Sequence, residues 1–253
     1  MTNTATDAGL TDAETTAFRQ RCVDFFESRP TQQAAPTFEE SQSFHRAAAE
    51  AGVGVGIAIP TEYGGAGLTP AHDKIWRQVK EDYPVMETDF VISHGMCLPM
   101  VSDHGTHEQK LAFLPEIISG EKLWCQMFSE PGAGSDVASL QTKAEVDGDE
   151  WIVNGQKVWT TLAHRSQYGL LVARNDPDQV KHAGLSMFIV EMQAPGVETR
   201  PIHQINGESH FNEVFFTDLR VPKNHLLGEL NTGWKLATAM LMYERVAIGA
   251  GGG

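Results

Sequence analysis

Two segments carry groups suited to hold one polar, planar ligand: WCQMFSEPGAGSD over residues 124–136 and GQKVWTT over 155–161. In the first, Pro131 presets a turn. Gly132 and Gly134 lack a Cβ and can take positive φ, so the backbone can approach a ligand and aim successive N–H groups at an anion such as a diphosphate. Ser129 and Ser135 each donate and accept a hydrogen bond, which suits a ring bearing both N–H and C=O groups. Taken alone, the motif also fits an ordinary Pro-Gly turn with Ser135 or Asp136 as a cap.

The second segment follows a hairpin signal. KAEV (143–146) and WIVN (151–154) flank the tight-turn residues Asp147, Gly148, Asp149 and Glu150. Side chains alternate along a strand, so Trp159 and Thr161 are expected to share one face and Thr160 the other. An indole plane and a hydroxyl would then meet the ligand together. A Trp in a β core beside two strand-favouring threonines is the other reading.

The elements that must position these groups fall into three stretches. From Leu10 to about Ser119 the periodicity is helical, with capping boxes at Thr11/Glu14 and Thr106/Gln109 and Pro70 in a first turn. Tyr63 to Gly67 is a glycine-rich loop that follows no long strand and lacks a Walker lysine, so it is not read as a nucleotide loop. From about Leu123 to Phe216 come short Val-, Ile-, Phe- and Thr-rich runs, including 168–173, 185–191 and 212–217, spaced as in a β-barrel or sandwich. Residues 177–183 read as an exposed loop. Beyond Gly233 the pattern is helical again. The expected organisation is a disordered 1–9, an all-α domain over 10–121, a middle β domain over 122–231, and the start of a further helical domain over 232–253.

The last helix holds the sharpest catalytic candidate. Ala237, Met240, Leu241 and Ile248 form an apolar stripe, and Glu244 falls within it at the i+7 place. A carboxylate on a buried face would be harder to ionise and could act as a base near neutral pH. Glu244 could instead reach solvent or pair with a basic group.

Together with IPTEYGGAGLTP (59–70), GTHEQKLAFLPEIISGE (105–121) and VPKNHLLGELNTGWKLA (221–237), these motifs resemble the acyl-CoA dehydrogenase family along nearly the whole chain. The resemblance implies FAD as cofactor, an acyl-CoA thioester as substrate and α,β-dehydrogenation, with electrons passing to an electron-transferring flavoprotein. It implies that Gln126, Phe128, Ser129, Gly134, Ser135, Trp159, Thr160 and Thr161 bind the cofactor. Ser135, Met242, Tyr243, Glu244 and Arg245 would contact substrate, with Glu244 at the place that isovaleryl- and long-chain-acyl dehydrogenases use for their base. Complete family members continue into a helical bundle that shares the FAD site and builds a homo- or hetero-oligomer. The chain therefore reads as a fragment or as a subunit completed by another polypeptide.

Composition narrows the alternatives. At 253 residues, with 41% hydrophobic and 21% charged, the chain can bury a sizeable core. A net charge of -14 disfavours nucleic acid and anionic membranes, so an anionic CoA must meet local basic residues. Cys22, Cys97 and Cys125 suit reduced, cytoplasmic thiols, and no span or secretory signal is read. His104 and His107 lack further ligands for a metal, while His203 and His210 flank a polar turn. A non-catalytic flavin- or acyl-CoA-binding subunit and an acyl-CoA oxidase stay open beside the dehydrogenase.

Overall fold

In the first unit each α-helix start is written in its capping residues. The computed structural model describes residues 9–29, 36–83 and 88–249, and the chain divides into two compact units, residues 1–87 and 88–253. In the first unit, α1 (Asp12–Glu27), α2 (Phe38–Glu50) and α3 (Pro70–Lys80) are opened by Thr11, Thr37 and Thr69. At α1 the Thr11 N–H donates to Glu14 Oε2 at 2.9 Å and the Glu14 N–H returns to Thr11 Oγ1 at 3.3 Å, satisfying two orphan donors. An aromatic cluster joins these helices, with Phe26 stacked on Trp76 at 4.9 Å. The disorder expected of residues 1–9 falls, apart from Gly9, outside the described residues.

The second unit opens with a 3₁₀ turn (Thr88–Phe90) and a π-helical turn (Ser93–Cys97), followed by α4 (Leu98–His104) and α5 (His107–Ile118). The Gln109 side chain completes the capping box at Thr106 and also donates to the carbonyls of Asn224 and Leu226 at 2.7 and 2.9 Å. It thereby ties α5 to the sheet region.

Strands begin directly afterwards: β1 (Trp124–Met127), β2 (Lys143–Asp147), β3 (Glu150–Thr161), β4 (Tyr168–Arg174), β5 (Leu185–Glu191), β6 (Val197–Pro201), β7 (Phe211–Pro222) and β8 (Leu226–Leu227). They form one mixed sheet in the order β6-β7-β3-β2-β4-β5-β8, with β1 parallel to β4. The β2–β3 turn is closed by Gly148 at φ 58°, the left-handed conformation a tight hairpin asks for. Trp151, Val153, Leu171, Phe188 and Val214 fill the core. The last described element is α6 (Gly233–Gly249), which packs on the π turn, α4, β4 and β5. The expected order of a helical region, a β region and a further helix is thus present. Among the described residues no helix is long and apolar enough to cross a membrane.

Candidate active site

The two motif segments meet through strand geometry. The Val158 N–H donates to Ser129 O at 2.9 Å, and the Lys157 ammonium donates to Phe128 O at 3.0 Å. Ser129, just after β1, therefore lies beside the residues that precede Trp159 on β3.

The end of β3 is irregular. Lys157 opposes Val214 and Thr160 opposes Asn212, so three steps along β3 match two along β7 and one residue is extra, a β-bulge. Trp159 sits in it at φ 61°, a left-handed conformation that is strained for a bulky side chain. Its indole is 59% exposed, with the Phe211 ring edge-on at 6.0 Å. Thr160 is buried, and its hydroxyl has no hydrogen-bond partner; Thr161 is half-buried. The buried Asn212 holds the bulge by donating from Nδ2 to Thr160 O at 3.0 Å. The expected split of Trp159 from Thr160 is therefore present, but the bulge aims the indole where regular pleating would not.

The loop after β1 differs from expectation in its glycines. Neither Gly132 nor Gly134 takes a positive φ, and a Cβ built on either would meet nothing within 4 Å. Contacts inside the chain give no reason for glycine at these two places, although glycine costs conformational entropy. A cavity of about 460 Å³ opens beside Pro131, Gly132, Ser139 and Gln156. Gly134 and Ser135 are exposed, Gln126 is half-buried on β1 and Phe128 is buried. Lys181, from the loop over 177–183, pairs with Asp136. Hydrogen bonds from Lys181 and then Ser139 hold the Asp136 carboxyl below its usual range.

A buried ion pair underlies this wall. Lys157 is 0% exposed, and its ammonium meets Glu130 Oε1 at 2.9 Å. The Glu130 carboxylate also accepts the N–H groups of Gln141 and Thr142 at 2.6 and 2.9 Å. Burial pushes Lys157 down to about 8, with Glu130 pulling the other way. For Glu130 burial works upward, but the Lys157 charge and the hydrogen bonds outweigh it and leave the carboxyl below its ordinary range.

Glu244 lies on the partly buried side of α6. Ala237 and Met240 are fully buried, while Leu241 and Glu244 are half-buried; the Ile248 side chain lies outside the described residues. The preceding Tyr243 donates its hydroxyl to Asp103 Oδ2 of α4 at 2.5 Å, and that bond raises the phenol to about 12. Met242 and Arg245 are exposed. The π turn touches both β1 and α6, and a Cβ on Gly95 would lie 2.7 Å from Ala247 Cβ. The structure thus brings Phe128, Ser129 and Trp159 together, and joins the helix of Glu244 to β1 through the π turn and through β4. Sequence reasoning missed Glu130, Lys157, Asn212 and Asp103.

Residues 12–121 match the family "Acyl-CoA dehydrogenase, N-terminal domain" and residues 125–219 match "Acyl-CoA dehydrogenase, middle domain". The acyl-CoA dehydrogenase IpdE1 of Mycobacterium tuberculosis is 43% identical over 211 residues, covering 82% of this chain and 54% of that protein. The acyl-CoA dehydrogenase FadE34 of the same organism is 46% identical over 192 residues, covering 76% of this chain and 27% of that protein. Among solved structures, the Tcur3481-Tcur3483 steroid ACAD superposes with a TM-score of 0.75 at 30% identity, over 94% of this chain and 63% of its own. The chain thus spans about half the length of IpdE1 and a smaller share of FadE34.

Proposed function

Because the chain belongs to the acyl-CoA dehydrogenase family, we propose that it binds FAD against β1, the loop that follows and the end of β3. There it would catalyse α,β-dehydrogenation of an acyl-CoA thioester, with an electron-transferring flavoprotein taking the electrons. The observation that carries this reading is the Val158-to-Ser129 hydrogen bond at 2.9 Å, which sets the two motif segments side by side. The open glycines and the exposed Trp159 suit a flavin.

In this reading Ser129 and Thr161 hydrogen-bond the ring, Trp159 packs against it, and Gln126, Phe128 and Thr160 offer backbone groups. Gly134 and Ser135 take the diphosphate, with Ser135 also near the CoA. FAD, when bound, supplies the acceptor for the β hydride. Glu244 removes the α proton, while Met242, Tyr243 and Arg245 contact the acyl-CoA. The exposed apolar side chains of Met242 and Val246, at 53% and 60%, support cover by further helices, from this polypeptide or a partner subunit. Three buried, unpaired thiols support a cytoplasmic setting. The likeness to a steroid ACAD makes thioesters with ring-bearing acyl groups the first to assay.

Anaerobic mixing of the flavin-loaded protein with a series of acyl-CoAs tests the reading. Bleaching of the visible flavin absorbance is expected. A protein without flavin, or one whose flavin stays oxidised with every thioester, would sink it.

A further inference from the structure

We propose that Glu130 and Lys157 are a positioning pair: together they set the peptide plane and the loop that a flavin meets. This rests on the flavin reading above and adds to it two residues that touch no ligand.

The argument begins with the peptide between Phe128 and Ser129. Lys157 has no exposed surface, so the Phe128 carbonyl that accepts from its Nζ at 3.0 Å points inward. No cis peptide bond is present among the described residues. In a planar trans peptide the N–H points opposite to the C=O, so the Ser129 N–H faces away from the lysine, to the side open to a ligand. Turning this plane over would leave a buried ammonium without one of its two acceptors.

The second effect is on the loop. Glu130 accepts from Gln141 and Thr142 at 2.6 and 2.9 Å, so one carboxylate clamps both ends of the segment holding Gly132, Gly134 and Ser135. Lys157 lies two residues before Trp159 on β3. A single ion pair therefore ties the loop, the Ser129 amide and the bulge into one unit. Contacts this buried are costly to half-remove, because the partner left behind is an unpaired charge.

The test compares the flavin-loaded enzyme with Glu130→Gln, Lys157→Met and the double variant. FAD affinity, flavin absorbance and fluorescence, the flavin reduction potential and the thermal midpoint are measured for each. The expected result is a shifted flavin spectrum and potential and an FAD Kd raised about tenfold in whichever variants fold. If a single variant, each of which leaves one buried charge unpaired, fails to fold, the double variant, which leaves none, decides the matter. Folded variants with a lower thermal midpoint but parental spectrum, potential and Kd would overturn the positioning role and leave the flavin reading standing. A parent protein that takes up no FAD would overturn both.

Discussion

The wall proposed for the flavin and the helix proposed to carry the base are built in opposite ways. Around Ser129 and Trp159, a fully buried lysine, a carboxylate with three donors, and Asn212 under the bulge fix the backbone from within. Around Glu244 the helix is held on one side only, by Ala237 and Met240 beneath and by the Tyr243–Asp103 bond, with Met242 and Val246 facing out. One wall is preorganised by its own chain, and the other is open on its outer side. Preorganised groups contribute most where charge develops, whereas a base needs correct placement and protonation.

The largest expected effect strikes the less constrained wall. Glu244→Gln keeps size and hydrogen bonding and removes the basicity, so acyl-CoA binding should persist while flavin reduction falls by ~10²- to 10⁴-fold. Stopped-flow anaerobic mixing reads it directly. Reduction at the parental rate would move the base off α6 and leave Glu244 as a pocket residue.

A smaller effect should follow from closing the gap between the π turn and α6. Gly95→Ala would set two methyl groups 2.7 Å apart, so α6 must shift. The cost of such overpacking is about 1–3 kcal/mol. Thermal unfolding should show it, with slower flavin reduction and an unchanged flavin spectrum. A changed spectrum with unchanged reduction would mean that the two walls are not separable as described.

At the preorganised wall, Trp159→Ala and Trp159→Gly should act alike on one measurement and differ on another. Both remove the ring and should weaken FAD retention. Glycine alone relieves the left-handed backbone at φ 61°, so in urea unfolding the flavin-free Gly variant should exceed the Ala variant by about 1 kcal/mol. Equal stabilities would mean that the bulge relaxes without the ligand.

How much of this was legible in the sequence depends on the range of the signal. The capping residues Thr11 and Thr106 act within one turn, and both starts were readable. Strand β5, Leu185–Glu191, was visible as an apolar run bounded by polar residues. The bulge was not, because it depends on the register of β3 against β7, some fifty residues away. The Lys157–Glu130 pair left one local trace: Trp151, Val153 and Lys157 share strand parity, which puts the lysine among core positions and calls for a partner. That partner, and Asp103 for Tyr243, are set by tertiary approach alone. Of the two grounds on which the loop glycines stood out, positive φ is absent, and the missing Cβ leaves open space.

The smallest effect tests how firmly α6 is held. Tyr243→Phe removes only the hydroxyl that donates to Asp103 at 2.5 Å. At neutral pH the loss should be about 0.5–1.5 kcal/mol, the net contribution of one such bond. Its pH dependence has a definite sign. The Asp103 bond raises the Tyr243 phenol from 10.0 to about 12 in the folded state, so the stabilisation is complete below pH 10 and is lost as pH climbs through 12. The stability gap between parent and Tyr243→Phe, followed by denaturant unfolding from pH 8 to 12, should therefore stay constant to about 10 and then narrow. A gap that is absent at pH 8, or that widens above pH 10, would show that this bond does not hold the helix. The placement of Glu244 would then rest on buried packing and on Gly95 alone.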